Sequence, residues 1–116
     1  MTPGEIVLLR LAQPDLLPGK LRPVLVLSEL PGPFGDVLVC GISSQLHQEV
    51  PQWDEPLTPA DPDFTTSGLK VASVIRLNWL ASVSPSVSVG TLGTIAPERL
   101  TRLRQRLANQ LALPFQ

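Results

Sequence analysis

The sequence predicts a mainly β fold: a small, strongly curved antiparallel sheet or β-barrel with one C-terminal α-helix packed on it. Three observations lead there. Five apolar runs of strand length are separated by Pro, Gly and Ser breaks. Only the last stretch of the chain has helical spacing. A length of 116 residues suits one domain spanning 1–116, large enough to bury roughly two thirds of the surface its unfolded form exposes.

The first run, GEIVLLRL, sets a strand from about Glu5 to Arg10, its length and β-branched content favouring strand over helix. AQPDLLPGK follows as a Pro and Gly loop. The second strand covers Arg22 to Ser28. Pro23 lacks the N–H that a central ladder needs, so it belongs at the strand's first position or on an edge. It also pushes Arg22 toward extended backbone, which holds the charge on a stiff stem. PGPFG is a turn, and DVLVCGISS is the third strand. Residues 49–67, EVPQWDEPLTPADPDFTTS, have no usable period and read as a long connection crossing the surface. Connections of that length are functional or mobile, and a cover over a binding groove, poorly ordered until the groove is filled, is the expectation here. KVASVIRLNWL restores a strand pattern, and SVSVGTLG adds a short one after a Ser and Pro break. Pro97 opens an amphipathic helix in which Leu100, Leu103, Leu107 and Leu111 fall three, four and four apart. Its N-cap, Ala96, offers no side-chain oxygen, and Pro114 ends it.

Composition excludes several classes. A single cysteine, Cys40, inside DVLVCGI permits no intrachain disulfide and is expected to be a buried, inert thiol in a reduced, cytoplasmic setting. No leader pattern opens the chain and no apolar stretch approaches bilayer length, so a soluble intracellular protein is expected. The formal net charge of -1 argues against indiscriminate nucleic-acid binding. The charge is unevenly spread, however. Residues 96–116 carry Arg99, Arg102, Arg104 and Arg106 against Glu98 alone. Residues 49–67 carry Glu49, Asp54, Glu55, Asp61 and Asp63 with no Lys or Arg. If that acidic segment stands apart, the remaining surface is neutral to basic.

One cysteine and one histidine cannot build a zinc site by themselves, and no glycine loop poised to cradle phosphate precedes a helix. No cofactor or metal is implied. A triad assembled from His47 and a serine has no nucleophile-elbow pattern behind it. What remains is a set of polar residues at strand ends. Arg22 starts the second strand, Ser43, Ser44 and Gln45 end the third, and Arg76 and Asn78, two apart on the fourth, share a face. Each has a plainer reading: a snorkelling cation for Arg22, turn hydroxyls for Ser43 and Ser44, a salt bridge for Arg76. Trp79 is more often core than a stacking platform, and His47 reads as a surface residue.

Four blocks, GEIVLLRL, GKLRPVLVLS, VLVCGISSQ and GLKVASVIRLNWL, together with GTLGTIAPERLTRLRQRL, resemble in order the PemK/MazF-like toxins of bacterial type II toxin–antitoxin systems. The resemblance spans nearly the whole chain. It implies an SH3-like or CcdB-like barrel, a homodimer, and metal-independent, sequence-selective cleavage of single-stranded RNA. It also implies a cognate antitoxin whose disordered tail occupies the RNA groove. Carried over by position, Arg22 corresponds to the family's catalytic arginine and Ser43 to its catalytic threonine. Arg76 and Asn78 match positions where some members carry an arginine and an acidic residue, and Asn78 departs from that pattern because it cannot accept a proton as a carboxylate would.

The chemistry can be argued without the resemblance. Metal-free cleavage of RNA requires the ribose 2′-hydroxyl to attack the adjacent phosphate, and the same hydroxyl separates RNA from DNA. Negative charge builds on the phosphoryl oxygens, so a rigid two-pronged donor such as Arg22 gives the greatest benefit. Arginine is too weak a base to take the hydroxyl proton. Arg22 is therefore assigned charge stabilisation, and Ser43 a neutral hydrogen bond that orients the phosphate. Lys20, Lys70 and Arg76 would hold flanking phosphates, Ser44 would line the same site, and Gln45 and Asn78 could read base edges. His47 is the candidate general base. Two other readings stand beside this one: a non-catalytic, for example gyrase-directed, binding module on the same barrel, and a barrel that binds nucleic acid within a larger assembly.

Overall fold

Six strands form one antiparallel sheet: β1 (Glu5–Leu11), β2 (Lys20–Glu29), β3 (Val37–Ser43), β4 (Glu55–Leu57), β5 (Ser73–Val83) and β6 (Ser88–Thr94). The computed structural model describes residues 1–11 and 20–115; the Pro and Gly loop expected over 12–20 lies outside the described residues apart from Lys20. The strands lie in the order β4-β5-β3-β2-β1-β6. The one long helix, α2 (Pro97–Leu111), closes the chain, and a single turn of helix, α1 (Phe64–Ser67), precedes β5. The expected mainly β fold with a C-terminal helix is what forms. No helix is long and apolar enough to cross a membrane among the described residues.

Strand alternation divides the interior into two clusters. Ile6, Leu25, Leu27, Cys40, Ile42, Leu57, Ile75 and Leu77 point to the side that receives Leu103 and Leu107 of α2. Val7, Leu9, Val24, Val26, Val37 and Val39 point to the other side, where the curl of the sheet and the flanking Met1, Ala81 and Val83 enclose them. Two of the four leucines in the helical stripe are fully committed and Leu100 is half-buried, but Leu111 is 73% exposed. It falls in the last turn, beyond the reach of the sheet. Cys40 is fully buried, and burial, aided by the charge of Asp54, pushes its thiol up to about 12, so it stays protonated and unreactive.

Strand β2 begins at Lys20, so Pro23 is not its first residue, and β2 lies between β1 and β3. The ladder to β3 nevertheless runs only from Val24 to Glu29, while Pro23 pairs with Leu8 of β1. Its missing donor therefore falls where the strand is paired on one side only, an edge in the physical sense.

The acidic segment 49–67 is not a loose cover. It contains β4 and α1, and it is tied to α2 by ion pairs. Arg99, 8% exposed, donates from Nε and Nη2 to the two Asp63 oxygens at 2.8 and 3.1 Å and from Nη1 to Glu55 at 2.8 Å. Arg102 makes a second two-pronged contact to Glu55, at 2.7 and 2.9 Å, and Arg106 reaches Glu55 at 3.1 Å and the Trp53 carbonyl at 2.8 Å. Burial pushes the Glu55 carboxyl up, but the Arg102 hydrogen bonds and the charges of Arg102, Arg99 and Arg106 outweigh it and hold the group below the usual range. Hydrogen bonding from Arg99 likewise holds Asp63 low, against the opposing effect of burial. The same Asp63 carboxylate accepts the Ala96 N–H at 2.9 Å. A residue distant in sequence thus supplies the cap that Ala96 lacks, with its negative charge at the positive end of the helix. The basic helix and the acidic segment neutralise one another, so neither is a free surface of its sign.

Candidate functional site

The ladders at one end of the sheet decide which polar side chains meet. Arg22 pairs with Leu9 of β1, and Leu9 belongs to the second apolar cluster, so Arg22 projects from that cluster's face, as do Lys20 two residues before it and Val24 two after. On β3, Gly41 pairs with Val24, and Ser43 is two residues further on the same face. Continuing that antiparallel register past Val24 and Gly41 sets Arg22 level with Ser43. On β5, Val74 pairs with Ser43 and Arg76 with Gly41. The order β5-β3-β2 therefore places Arg76, Ser43, Arg22 and Lys20 on one face at one end of the sheet. No carboxylate among the described residues is within ion-pair distance of Lys20, Arg22, Lys70 or Arg76.

Two of these groups share an acceptor. Gln48, in the short 3-10 turn Leu46–Gln48, takes the Ser43 hydroxyl on its Oε1 at 2.9 Å and Arg76 Nη1 on the same oxygen at 3.5 Å. The Ser43 oxygen in turn accepts the Gln45 N–H at 3.0 Å. Ser43 thus does the work of a turn hydroxyl and still presents its oxygen beside an arginine. Arg76 Nε is buried without a partner and out of reach of an anion, and the single long contact to Gln48 leaves the other guanidinium N–H groups of this half-buried side chain to donate. Arg76 is not in the salt bridge that its plain reading supposes.

The remaining sequence candidates are placed less centrally. Ser44 and Gln45 are exposed just beyond β3, Gln45 opening the 3-10 turn. His47 is exposed on that turn. Lys70 is exposed, three residues before β5 begins, and so lies off the same end of the sheet without a described contact to the cluster. Asn78 does not share the regular face of Arg76. Between Cys40 and Gly41 of β3 the partner on β5 jumps from Leu80 to Arg76, leaving Leu77, Asn78 and Trp79 without opposite numbers. A bulge of this kind re-aims side chains. The Leu77 N–H finds Asp54 Oδ1 at 3.0 Å, and Asn78 Oδ1 accepts the Trp53 indole N–H at 2.8 Å. Asn78 is thus held by Trp53, with its amide N–H groups left to donate.

Sequence reasoning misses Gln48 and undervalues Trp79. Gln48 lies in a stretch without period, and only its place in the polar run SSQLHQ after a strand end hints at a role. Trp79 is 38% exposed, because the bulge turns it away from the apolar interior. Among the described residues no group of three or more His, Cys, Asp and Glu could hold a metal ion.

Known proteins place this geometry in context. The chain is similar to an endoribonuclease in complex with its cognate antitoxin from a mycobacterial species, with a TM-score of 0.69 at 15% identity, covering 100% of this chain and 99% of that one. It is also similar to the Mycobacterium tuberculosis toxin MazF-mt6, with a TM-score of 0.66 at 19% identity, covering 96% of this chain and 99% of that one. At those identities the likeness is one of fold. Family membership comes from the sequence itself: residues 2–111 match the family described as PemK-like, MazF-like toxin of type II toxin–antitoxin system, and the chain belongs to it.

Proposed function

We propose that this toxin is a sequence-selective endoribonuclease that cleaves single-stranded RNA by attack of the ribose 2′-hydroxyl on the adjacent phosphate, without a metal. The observation that carries the reading is the assembly of Arg22, Ser43 and Arg76 on one face, clear of described carboxylates. Arg22 would grip the two non-bridging oxygens as they gain charge, the role for which a planar fork is suited. Ser43, turned from Gln48 toward the phosphate, would fix its orientation, and the terminal N–H groups of Arg76 would take a neighbouring phosphate. Lys20 and Lys70 extend the positive track, and Ser44, Gln45 and the free amide of Asn78 supply donors and acceptors for base edges. Solvent water would take the 2′-hydroxyl proton as the O2′–P bond forms and return one to the 5′-oxygen as the P–O5′ bond breaks, leaving a 2′,3′-cyclic phosphate and a free 5′-hydroxyl.

The toxin family and the mycobacterial relative described with its cognate antitoxin support control by an antitoxin. A disordered, acidic antitoxin segment would compete for the same cationic face. The absence of a carboxylate at Asn78 favours a second reading, a binding module on the same barrel that has lost cleavage.

Purified protein incubated with single-stranded RNA in excess EDTA is expected to yield fragments ending in a 2′,3′-cyclic phosphate. A substrate with 2′-deoxyribose at the cut position should resist. Cleavage of that substrate would overturn the mechanism, and folded protein that cuts no RNA would establish the binding module instead.

A further inference from the structure

We infer that Trp79 is a stacking platform for one unpaired base of the bound strand, seated on Gly41 beside the arginine clamp. The inference rests on the reading that the cationic face binds single-stranded RNA, and it adds a recognition subsite to that face. Gly41 is the residue of β3 that pairs with Val24 on one side and Arg76 on the other. Its missing side chain would point to the face that carries Ser43 and Arg22. A Cβ built there would lie 3.2 Å from Trp79 Cβ and Cγ and 3.3 Å from Cδ2, tighter than ordinary van der Waals contact, so the glycine is what lets the indole settle against the strand. The bulge in β5 delivers the ring to that seat, because Trp79 is one of three residues with no partner on β3.

The seat fixes the ring and leaves it 38% exposed. An exposed, backed indole seated on Gly41, on the face that carries Arg76, Arg22 and Ser43, suits a ligand with a flat apolar surface joined to negative charge. A nucleotide in a single strand has both, and its base must unstack from its neighbours to reach a sheet surface. Aromatic rings take such bases with little regard to identity, while nearby polar groups do the reading. A protein partner could also cover an exposed tryptophan. The cationic residues around this one favour the polyanion, and the protein alternative becomes an outcome of the test.

Affinity is measured by fluorescence anisotropy with labelled, non-cleavable single-stranded 2′-O-methyl RNA ten-mers of mixed sequence, so that binding is read independently of cleavage. Trp79→Leu is expected to weaken binding about tenfold to a hundredfold, the usual scale for losing one stacked base. Trp79→Phe should recover most of the loss, which a merely space-filling role would not require, and Gly41→Ala should fall between them by displacing the ring. Thermal melts show whether each variant is folded, and Trp79→Phe with Gly41→Ala carry the test if Trp79→Leu is not. Unchanged affinity in Trp79→Leu, or equal losses in the Leu and Phe variants, would overturn the inference. So would a change of oligomeric state in Trp79→Leu by light scattering, which would assign the indole to a protein interface. Binding that depends on Trp79 in a protein that cuts no RNA would sustain the subsite while removing the ribonuclease reading.

Discussion

Arg22→Ala is expected to lower the rate of RNA cleavage by at least about a hundredfold, with little change in KM. That is the usual scale for removing one donor aimed at charge that develops only in the transition state. Arg22 is suited to the task by its position. It stands where β2 is paired to β1 alone, its backbone kept extended by Pro23, with the buried Val24 to Leu27 anchoring the strand behind it. Arg22→Lys keeps the charge but loses the fork, so most of the rate should still be lost. Gln48→Ala tests a different contribution. It removes an acceptor shared by Ser43 and Arg76 and leaves both groups present, so a loss nearer tenfold is expected, the scale of one or two ordinary hydrogen bonds. Single-turnover kinetics on one defined RNA separates the three variants. An Arg22→Ala protein that cleaves at the wild-type rate would remove Arg22 from the mechanism.

Loss of Arg99 should be the most destabilising single change away from the apolar core. Arg99→Ala leaves the buried Asp63 without its counter-charge and takes one of three arginines from Glu55, which keeps Arg102 and Arg106, and the penalty for stranding a buried partner is about 3–5 kcal/mol. For a chain of this length that corresponds to a fall in Tm on the order of 10 to 20 °C. The network also fixes the acid limit of the fold. Glu55 and Asp63 have folded pKa values depressed below their unfolded ones, so their contribution is complete above the ordinary carboxylate range and is lost as pH falls through the folded values. Wild-type Tm should therefore hold between pH 7 and 5 and drop below about pH 4, near the ordinary carboxylate value. In Arg99→Ala the acid-side drop should shrink, because protonation relieves the stranded carboxylate. Melts followed by circular dichroism at pH 7, 5 and 3 would show it, and an equal acid-side drop in both proteins would refute the assignment.

The regular parts of the fold are legible because their residues repeat. Val24 to Leu27 and Val37 to Cys40 are apolar runs of strand length between turn residues, and the spacing of Leu100, Leu103 and Leu107 has only one structural solution. Arg22 is legible as a charge held by Pro23. The acidic segment is not, because a three-residue strand and a one-turn helix are too short to have a period and are set by Arg99, Arg102 and Arg106 from the far end of the chain. That Arg76 lies beside Gly41, and not in a salt bridge, depends on β5 pairing directly with β3 although β4 comes between them in sequence, a choice no local pattern records. The register jump that exposes Trp79 and hands Asn78 to Trp53 is likewise a property of two strands together. The strand-end candidates were thus readable as types, and their meeting was not.

The pairing of the helical arginines with the acidic segment has a consequence for how the protein would respond to its ionic surroundings. With Arg99, Arg102 and Arg106 spent on Glu55 and Asp63, and Arg104 held on the helix by the Leu27 carbonyl, the cations on and beside the face of Ser43 are, among the described residues, Lys20, Arg22, Arg76 and Lys70. Each phosphate neutralised on a single strand releases about 0.7 of a condensed counterion, so the slope of log affinity against log salt should be only about -2 to -3. Such a protein would hold RNA through a few placed contacts, and its grip would change little across the salt concentrations at which a broadly basic protein lets go.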